Sequence, residues 1–242
     1  MCTVSFVPTT AGVCIAHNRD EKKSRPIAAP PSVSARNGIQ VLSPADGLAG
    51  GTWIGCNELG AAAALLNGAF IAHANQGPYR MSRGLILLDM LASANLTGYF
   101  KSVNLTGIEP FTVVIWEDSR LTDARWDGNE KFLTEKDATH AHTWSSVTLY
   151  DTPVQKKRQQ WFDKWRLKEA LPDPLSVSAY HLAGGEGNPE IDLRMERSGF
   201  LTVSHTLLLI ADERASMQYT DLRNAAEYMA VIHFTHSSRA RQ

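Results

Sequence analysis

Cysteine is scarce in this chain, with Cys2, Cys14 and Cys56 the only three among 242 residues. An odd count excludes a complete set of internal disulfides, and separations of 12 and 42 residues fit no metal-ligand motif. Reduced thiols in an intracellular, cytoplasmic protein are the expectation. Charge of one sign is lacking too. Lys and Arg number 24 against 25 Asp and Glu, a net of −1, which leaves no electrostatic case for nucleic acid or an anionic membrane as partner. No apolar run approaches the roughly eighteen residues needed to cross a bilayer, so stable membrane insertion is not expected. The start has no basic segment followed by an apolar core, so no secretory signal is expected. Repeats, low-complexity runs and linkers are absent as well. Residues 1–242 therefore read as one domain, and 43% hydrophobic residues supply an ample core.

What the chain does have is a dense beginning. Cys2 to Val7 is rich in β-branched residues, as is Val13 to Ala16, and Pro8 to Gly12 between them has turn composition. This predicts a β-hairpin with a five-residue connection. Paired residue numbers then sum to about 20, which sets Cys2 opposite His17 to Asn18. The cluster His17-Asn18-Arg19-Asp20-Glu21 would thus reach a thiol next to the chain start. Removal of Met1 would leave Cys2 with both a thiol and an α-amine able to act as its base. Arg19 nearby would favour the thiolate. The plainer alternative is that Cys2 is a small apolar residue opening an edge strand.

Met1-Cys2-Thr3, Asn18-Arg19-Asp20-Glu21, Ser24-Arg25-Pro26, Gly50-Gly51-Thr52-Trp53-Ile54-Gly55 and the run Gly60 to Asn67 resemble the NRDE family, the transport-and-Golgi-organisation type-two proteins. The resemblance is strong over the first 67 residues and one of layout beyond them. It implies an N-terminal-nucleophile (Ntn) hydrolase fold, a four-layer αββα sandwich in the α/β (α+β) class, similar to the cysteine hydrolases of conjugated bile acids and penicillin V. In those relatives an Arg and an Asp on the second strand flank the nucleophile. Asp20 matches the Asp, whereas His17 fills the Arg position and Arg19 is displaced by two. The resemblance also makes Asn67, at the end of the second hairpin, an oxyanion donor; a turn residue closing a strand is the alternative.

Along the rest of the chain, Lys22 to Pro31 reads as an irregular loop and Ile39 to Leu42 as a strand. Gly50 to Cys56 and Ala61 to Asn67 form a second hairpin whose all-apolar return suits burial on both faces. Gly68 to Ser82, with Tyr79, would rim a pocket that Trp53 and His17 help to line. Ser82 caps a helix over Leu85 to Leu91, and a short helix covers Thr97 to Val103. Phe111 to Trp116 and Leu121 to Trp126 are strands. His140 and His142, two apart in a strand, share a face, but no third ligand is in sight, so no metal is expected. Asp151-Thr152-Pro153 starts a helix over Val154 to Ala170. Its Trp161, Phe162 and Trp165 would dock on the sheet while Lys156, Lys157 and Arg158 face water. Pro174 to Leu182 is a further helix. Glu186 to Gly199 is a charged loop that could overhang the pocket; Leu201 to Thr206 runs into a strand over Leu207 to Ala211, Asp212 to Ala215 turns the chain into Ser216 to Thr220, and Ala230 to Phe234 is a last strand.

The sequence departs from the family pattern in two places. Relatives carry Ser-Asn where Ser145-Ser146 stands, so Ser146 would supply an oxyanion donor by hydroxyl or backbone N–H. They place an Arg where Val203 aligns and a nearby Ser at His205, so a cationic clamp is missing or moved to Arg194 or Arg197. Two functions follow. One is an Ntn amidohydrolase acting on a small-molecule amide, with Cys2 as nucleophile, Asp20 orienting its amine, Asn18 and Arg19 beside it, and His17, Trp53, Tyr79 and His205 on the substrate. The other is a non-catalytic binding or trafficking protein for a hydrophobic metabolite such as haem or a lipid. Neither reading requires a cofactor of the protein's own.

Overall fold

In the computed structural model, which describes residues 2–73, 77–169 and 171–235, the first hairpin is longer and tighter than its composition predicts. Strand β1 (Cys2–Thr9) and β2 (Gly12–Lys22) are joined by Thr10 and Ala11 alone, and Thr9 pairs with Gly12. Pro8 and Thr9 stay in the ladder instead of leaving it. The register therefore shifts, and Cys2 pairs with Arg19, not with His17 or Asn18. Gly12 is held at φ +128°, and a Cβ there would lie 2.1 Å from the Ile210 carbonyl oxygen, so only glycine fits this corner.

Next come β3 (Ala29–Arg36), β4 (Ile39–Ala45), β5 (Ile54–Asn57) and β6 (Ala62–Asn67). The irregular loop expected up to Pro31 ends earlier, because β3 takes in Pro30 and Pro31. It tolerates them as an edge strand with a register shift between Ala29 and Ser32. Helices α1 (Arg83–Leu91) and α2 (Leu96–Ser102) follow, the first capped by Ser82 accepting from the Gly84 N–H. Then come β7 (Phe111–Glu117), β8 (Arg120–Trp126), β9 (Lys131–Lys136) and β10 (His142–Ser145). Helix α3 (Thr152–Lys168) is capped by Asp151 and has Pro153 in its first turn; α4 (Pro174–Ala183) is capped by Asp173. The end expected for α3 at Ala170 falls outside the described residues. Strands β11 (Glu196–Arg197), β12 (Phe200–Ile210), β13 (Arg214–Asp221) and β14 (Ala226–His233) complete the order.

Two antiparallel seven-stranded sheets result. One runs β10-β1-β2-β12-β13-β14 with β11 beside β12, the other β3 through β9 in sequence order. Alternation along the strands sorts side chains into layers. Val4, Phe6 and Ile15 pack against Leu42, Ile54, Ala62, Ala64 and Leu66 of the facing sheet. Val7, Cys14 and Ala16, pointing the other way, meet Phe162, Val177 and Tyr180 of α3 and α4. On the outer face of the second sheet, Ala63, Leu65 and Val113 meet Ile86, Leu87 and Phe100 of α1 and α2. The order is helix, sheet, sheet, helix: the expected αββα sandwich. No helix among the described residues is long and apolar enough to cross a membrane.

Candidate active site

The hairpin register decides which of its polar residues meet. Residues directly opposite in an antiparallel pair share a face, so Arg19 stands beside Cys2 on the inner side, towards the second sheet. Both line a cavity of about 550 Å³ whose wall also includes Glu21, Arg25, Asp46, Trp53 and Asn67. The Arg19 guanidinium lies 4.2 Å from the Trp53 ring centroid and is hydrogen-bonded to Asp46, which Arg25 also grips at 2.7 Å. Burial works against the Asp46 carboxylate, but Arg25, the Ala49 N–H and Arg19 outweigh it and hold its pKa below the ordinary value. Across the cavity, Glu109 receives Arg83 at 2.8 Å and His73 at 3.1 Å.

Asn18 and Asp20 do not join them. They point to the other side of β2, into the layer of α3 and α4. The Asp20 carboxylate accepts from the Tyr150 hydroxyl at 2.7 Å and the Thr202 hydroxyl at 2.7 Å. The cluster expected to reach the Cys2 thiol is thus split by the alternation of the strand: Asn18 and Asp20 point to the opposite face, and Asp20 pairs neither with the cavity nor with surface cations. Burial raises the Asp20 pKa, opposed first by Arg158. Asn18 donates to the His181 and Leu193 carbonyls at 2.7 and 2.9 Å, and its side-chain oxygen accepts from His205 Nδ1 at 2.8 Å. His205 therefore sits in the helix layer, its Nε2 3.0 Å from Ser178 Oγ, and not on the substrate side. His17 faces the second sheet, fully buried, with Nε2 3.1 Å from the Leu65 carbonyl oxygen; it does not reach the cavity wall. Neither Tyr79 nor the proposed replacement clamps Arg194 and Arg197 line the cavity among its described residues. Arg197 is bound to the Glu190 and Leu149 carbonyls.

Ser146 is placed differently from the expected oxyanion donor. Its hydroxyl donates to the Asn67 carbonyl at 2.8 Å and its N–H to the Cys2 carbonyl at 2.9 Å. Both donors are spent on the backbone, so Ser146 ties the Cys2 strand to Asn67. Cys2 itself is 3% exposed. Burial pushes its thiol pKa up, with Arg19 opposing, so the resting group is the thiol and not the thiolate expected from its basic neighbour. Met1 lies outside the described residues.

A model of the family described as Transport and Golgi organisation 2 matches residues 1–181. The chain belongs to that family. No curated protein matches its sequence. Among solved structures, a mutant conjugated bile acid hydrolase from Clostridium perfringens is similar in fold at 10% identity, TM-score 0.59, covering 98% of this chain and 97% of that one. The Caenorhabditis elegans orthologue of N-acylethanolamine-hydrolyzing acid amidase gives 13% identity, TM-score 0.60 and coverage of 87% and 94%. These likenesses give this family member the Ntn-hydrolase fold.

Sequence reasoning missed Arg158. Read as facing water, it is 1% exposed and donates to Thr3 Oγ1 at 2.6 Å and to the Ile191 and Asp192 carbonyls. Its guanidinium lies 3.5 Å from the Tyr150 ring centroid, completing the Asp20 anchor. The stretch 186–199, expected over the pocket, supplies those carbonyls instead and packs on the helix side. His140 pairs with Asp137 at 2.9 Å and His142 Nε2 lies 2.7 Å from the Asp137 carbonyl.

Proposed function

We propose that this family member is an Ntn amidohydrolase acting on a small-molecule amide, with Cys2 as nucleophile once Met1 has been removed. The observation that carries the reading is that Cys2, on the first strand of an Ntn-type sandwich, forms part of the wall of a cavity of small-molecule size together with Asn67. Of the solved structures similar in fold, one bears the name of an acid amidase and the other that of a hydrolase, and that supports the reaction class.

The chemistry runs as follows. The α-amine exposed by Met1 removal takes the Cys2 proton, since an amine titrating near 7.7–8.0 is matched to the task. The sulfur attacks the amide carbon, the carbonyl oxygen gains charge, and the Asn67 side chain donates to it. Collapse expels the amine as it takes the proton, leaving a thioester that water hydrolyses. Asp20 acts from behind the strand: with Tyr150, Thr202 and Arg158 it fixes β2, and so the place of Arg19 beside Cys2. The second reading, a binding protein for haem or a lipid, is disfavoured by the charged wall of Arg19, Glu21, Arg25, Asp46, Arg83 and Glu109.

The test is labelling with iodoacetamide followed by peptide mass mapping and intact mass. Cys14 is packed in the helix layer and Cys56 between the two sheets, and neither lines the cavity, so both should stay unlabelled in native protein while Cys2, in the cavity wall, reacts and Met1 is missing. Retained Met1 or equal labelling of all three would remove the basis for catalysis. Cys2→Ser should lower turnover of any amide cleaved by wild type by at least about 10²-fold without changing the melting temperature appreciably.

A further inference from the structure

Two hydrogen-bond donors on residues that line the Cys2 cavity have no acceptor among the described residues. Arg19 is 6% exposed and Trp53 4% exposed, yet Arg19 Nη1 and Trp53 Nε1 are both buried without a partner. Donors of this kind are costly to leave unmade in a protein interior. They are uncommon in native proteins, and two on one stacked pair is an arrangement that asks for a ligand oxygen. The guanidinium and the indole are in contact, with Arg19 Cζ 4.2 Å from the ring centroid. Arg19 is held there by its other amino group, which is bound to Asp46.

Charge points the same way. Four cations, Arg19, Lys22, Arg25 and Arg83, line the cavity against three carboxylates, Glu21, Asp46 and Glu109. Asp46 is shared between two guanidiniums and Glu109 is engaged by Arg83. Glu21 also lies 3.8 Å from Arg19 and 4.0 Å from Arg25, so the excess of one positive charge on the wall is carried by the exposed Lys22, in the same cavity as the two orphan donors. Cys2 pairs with Arg19 across the β1–β2 ladder, so a group held at Arg19 is within one small molecule's length of the sulfur.

We infer that Arg19 and Trp53 form a carboxylate-binding subsite, and that the amide substrate carries a single carboxylate seated there. This rests on the reading of the cavity as the amide-cleaving site. Guanidinium and indole N–H groups each donate to the carboxylate, and the charge-assisted bond to Arg19 is the stronger of the two. A neutral amide or ester at the same place accepts the same hydrogen bonds but leaves the net positive charge of the wall unmatched. Arg19 and Trp53 are therefore specificity-determining residues, each reading a different property: Arg19 the charge, Trp53 the acceptor.

The experiment is calorimetric titration of full-length Cys2→Ala protein with hexanoate and, separately, with hexanamide, which differ in charge and little in size. Removing the thiol keeps covalent chemistry out of the measurement. Hexanoate should bind about tenfold or more tightly than hexanamide. Arg19→Gln should bring the two affinities together, and Trp53→Phe, which keeps the ring under Arg19 and removes only the N–H, should weaken hexanoate about fivefold. Salt should weaken hexanoate alone. Equal affinity for the two probes, or a preference for hexanoate that survives both substitutions, overturns the subsite. Preference for hexanoate combined with an unreactive Cys2 in the labelling experiment would instead leave the subsite standing and remove the hydrolase reading.

Discussion

At the scale of single residues, Arg158 carries more of the architecture than its place in a basic run implies. It spans Thr3 on β1 and the carbonyls of Ile191 and Asp192, and its guanidinium stacks on Tyr150, whose hydroxyl holds Asp20. Replacing a buried cation beside a buried carboxylate leaves the carboxylate uncompensated. Arg158→Met should therefore cost about 3 kcal/mol, read as a lower urea midpoint, and Arg158→Lys, which lacks the fork, about half of that. Asp20→Asn made in the Arg158→Met background should cost at least about 1 kcal/mol less than in wild type; strict additivity would mean that the two do not communicate. A signal for Arg158 existed in the sequence. Arg158, Phe162 and Trp165 fall at i, i+4 and i+7, one stripe of a helix, but charge outweighed spacing when the stripe was read. The even-numbered residues of the motif were harder. Asn18 and Asp20 could be assigned to a face only once the turn length was known, and a loop reading of Pro8-Thr9 misplaced the register.

Among elements, the contact between the second hairpin and α1 leaves little room to yield. The Thr52 N–H donates to the Gly84 carbonyl at 3.1 Å, and a Cβ on Gly51 would come within 2.4 Å of the Gly84 carbonyl carbon. Backbone meets backbone there, with no flexible side chain to yield. Gly51→Ala should destabilise the protein by about 2–3 kcal/mol in chemical denaturation. It should also disturb the cavity, since Gly51, Thr52 and Gly84 all belong to its wall. A neutral result would show that α1 can slide outward at little cost. Helices and caps were legible from the sequence: Ser82 before α1, and Asp151 with Pro153 at α3, are local signals that tertiary context did not overturn. The edge strands β3 and β9 were not. Strand β9 holds only two apolar residues, the adjacent Phe132 and Leu133, which point to opposite faces, and β3 contains two prolines. An edge needs neither a full apolar face nor every N–H, so its pattern is weak by nature.

For the molecule as a whole, three buried imidazoles set the response to acid. Burial lowers the pKa of His17 to about 3 and that of His205 to about 3, and it takes His181 well below its ordinary value, with His205 adding to the effect. In the unfolded chain all three titrate near 6.5. Below that pH the unfolded state takes up three protons that the native state refuses, so stability falls as pH drops from about 6.5 towards 3. The slope is about 1.4 kcal/mol per unit for each histidine, about 4 in total. Asp20, raised by burial, acts in the opposite sense: between its unfolded value near 3.9 and its higher native value the folded state holds a proton that the unfolded chain has released, which offsets at most one histidine's share of the loss in that window. Urea midpoints at pH 7, 6 and 5 should decline steeply across that range, and His205→Gln should remove about a third of the slope. A flat profile would mean that the imidazoles protonate within the folded protein. The αββα layering was legible from the family resemblance more than from periodicity, because strands buried on both faces, such as Ala61 to Leu66, carry no alternation to read.

The opposed faces of β2 also make the molecule a strict reader of phase. Odd-numbered residues of the motif serve the cavity and even-numbered ones serve the helix layer, with the two-residue turn Thr10-Ala11 setting which is which. Lengthening or shortening that turn by one residue would not simply loosen the hairpin. It would exchange the two inventories, bringing Asn18 or Asp20 to the sulfur and burying Arg19 among Phe162 and Tyr180. Insertions of single residues at this turn should thus be far less tolerated than at the Asn37-Gly38 turn between β3 and β4, where the strand that shifts carries no chemistry.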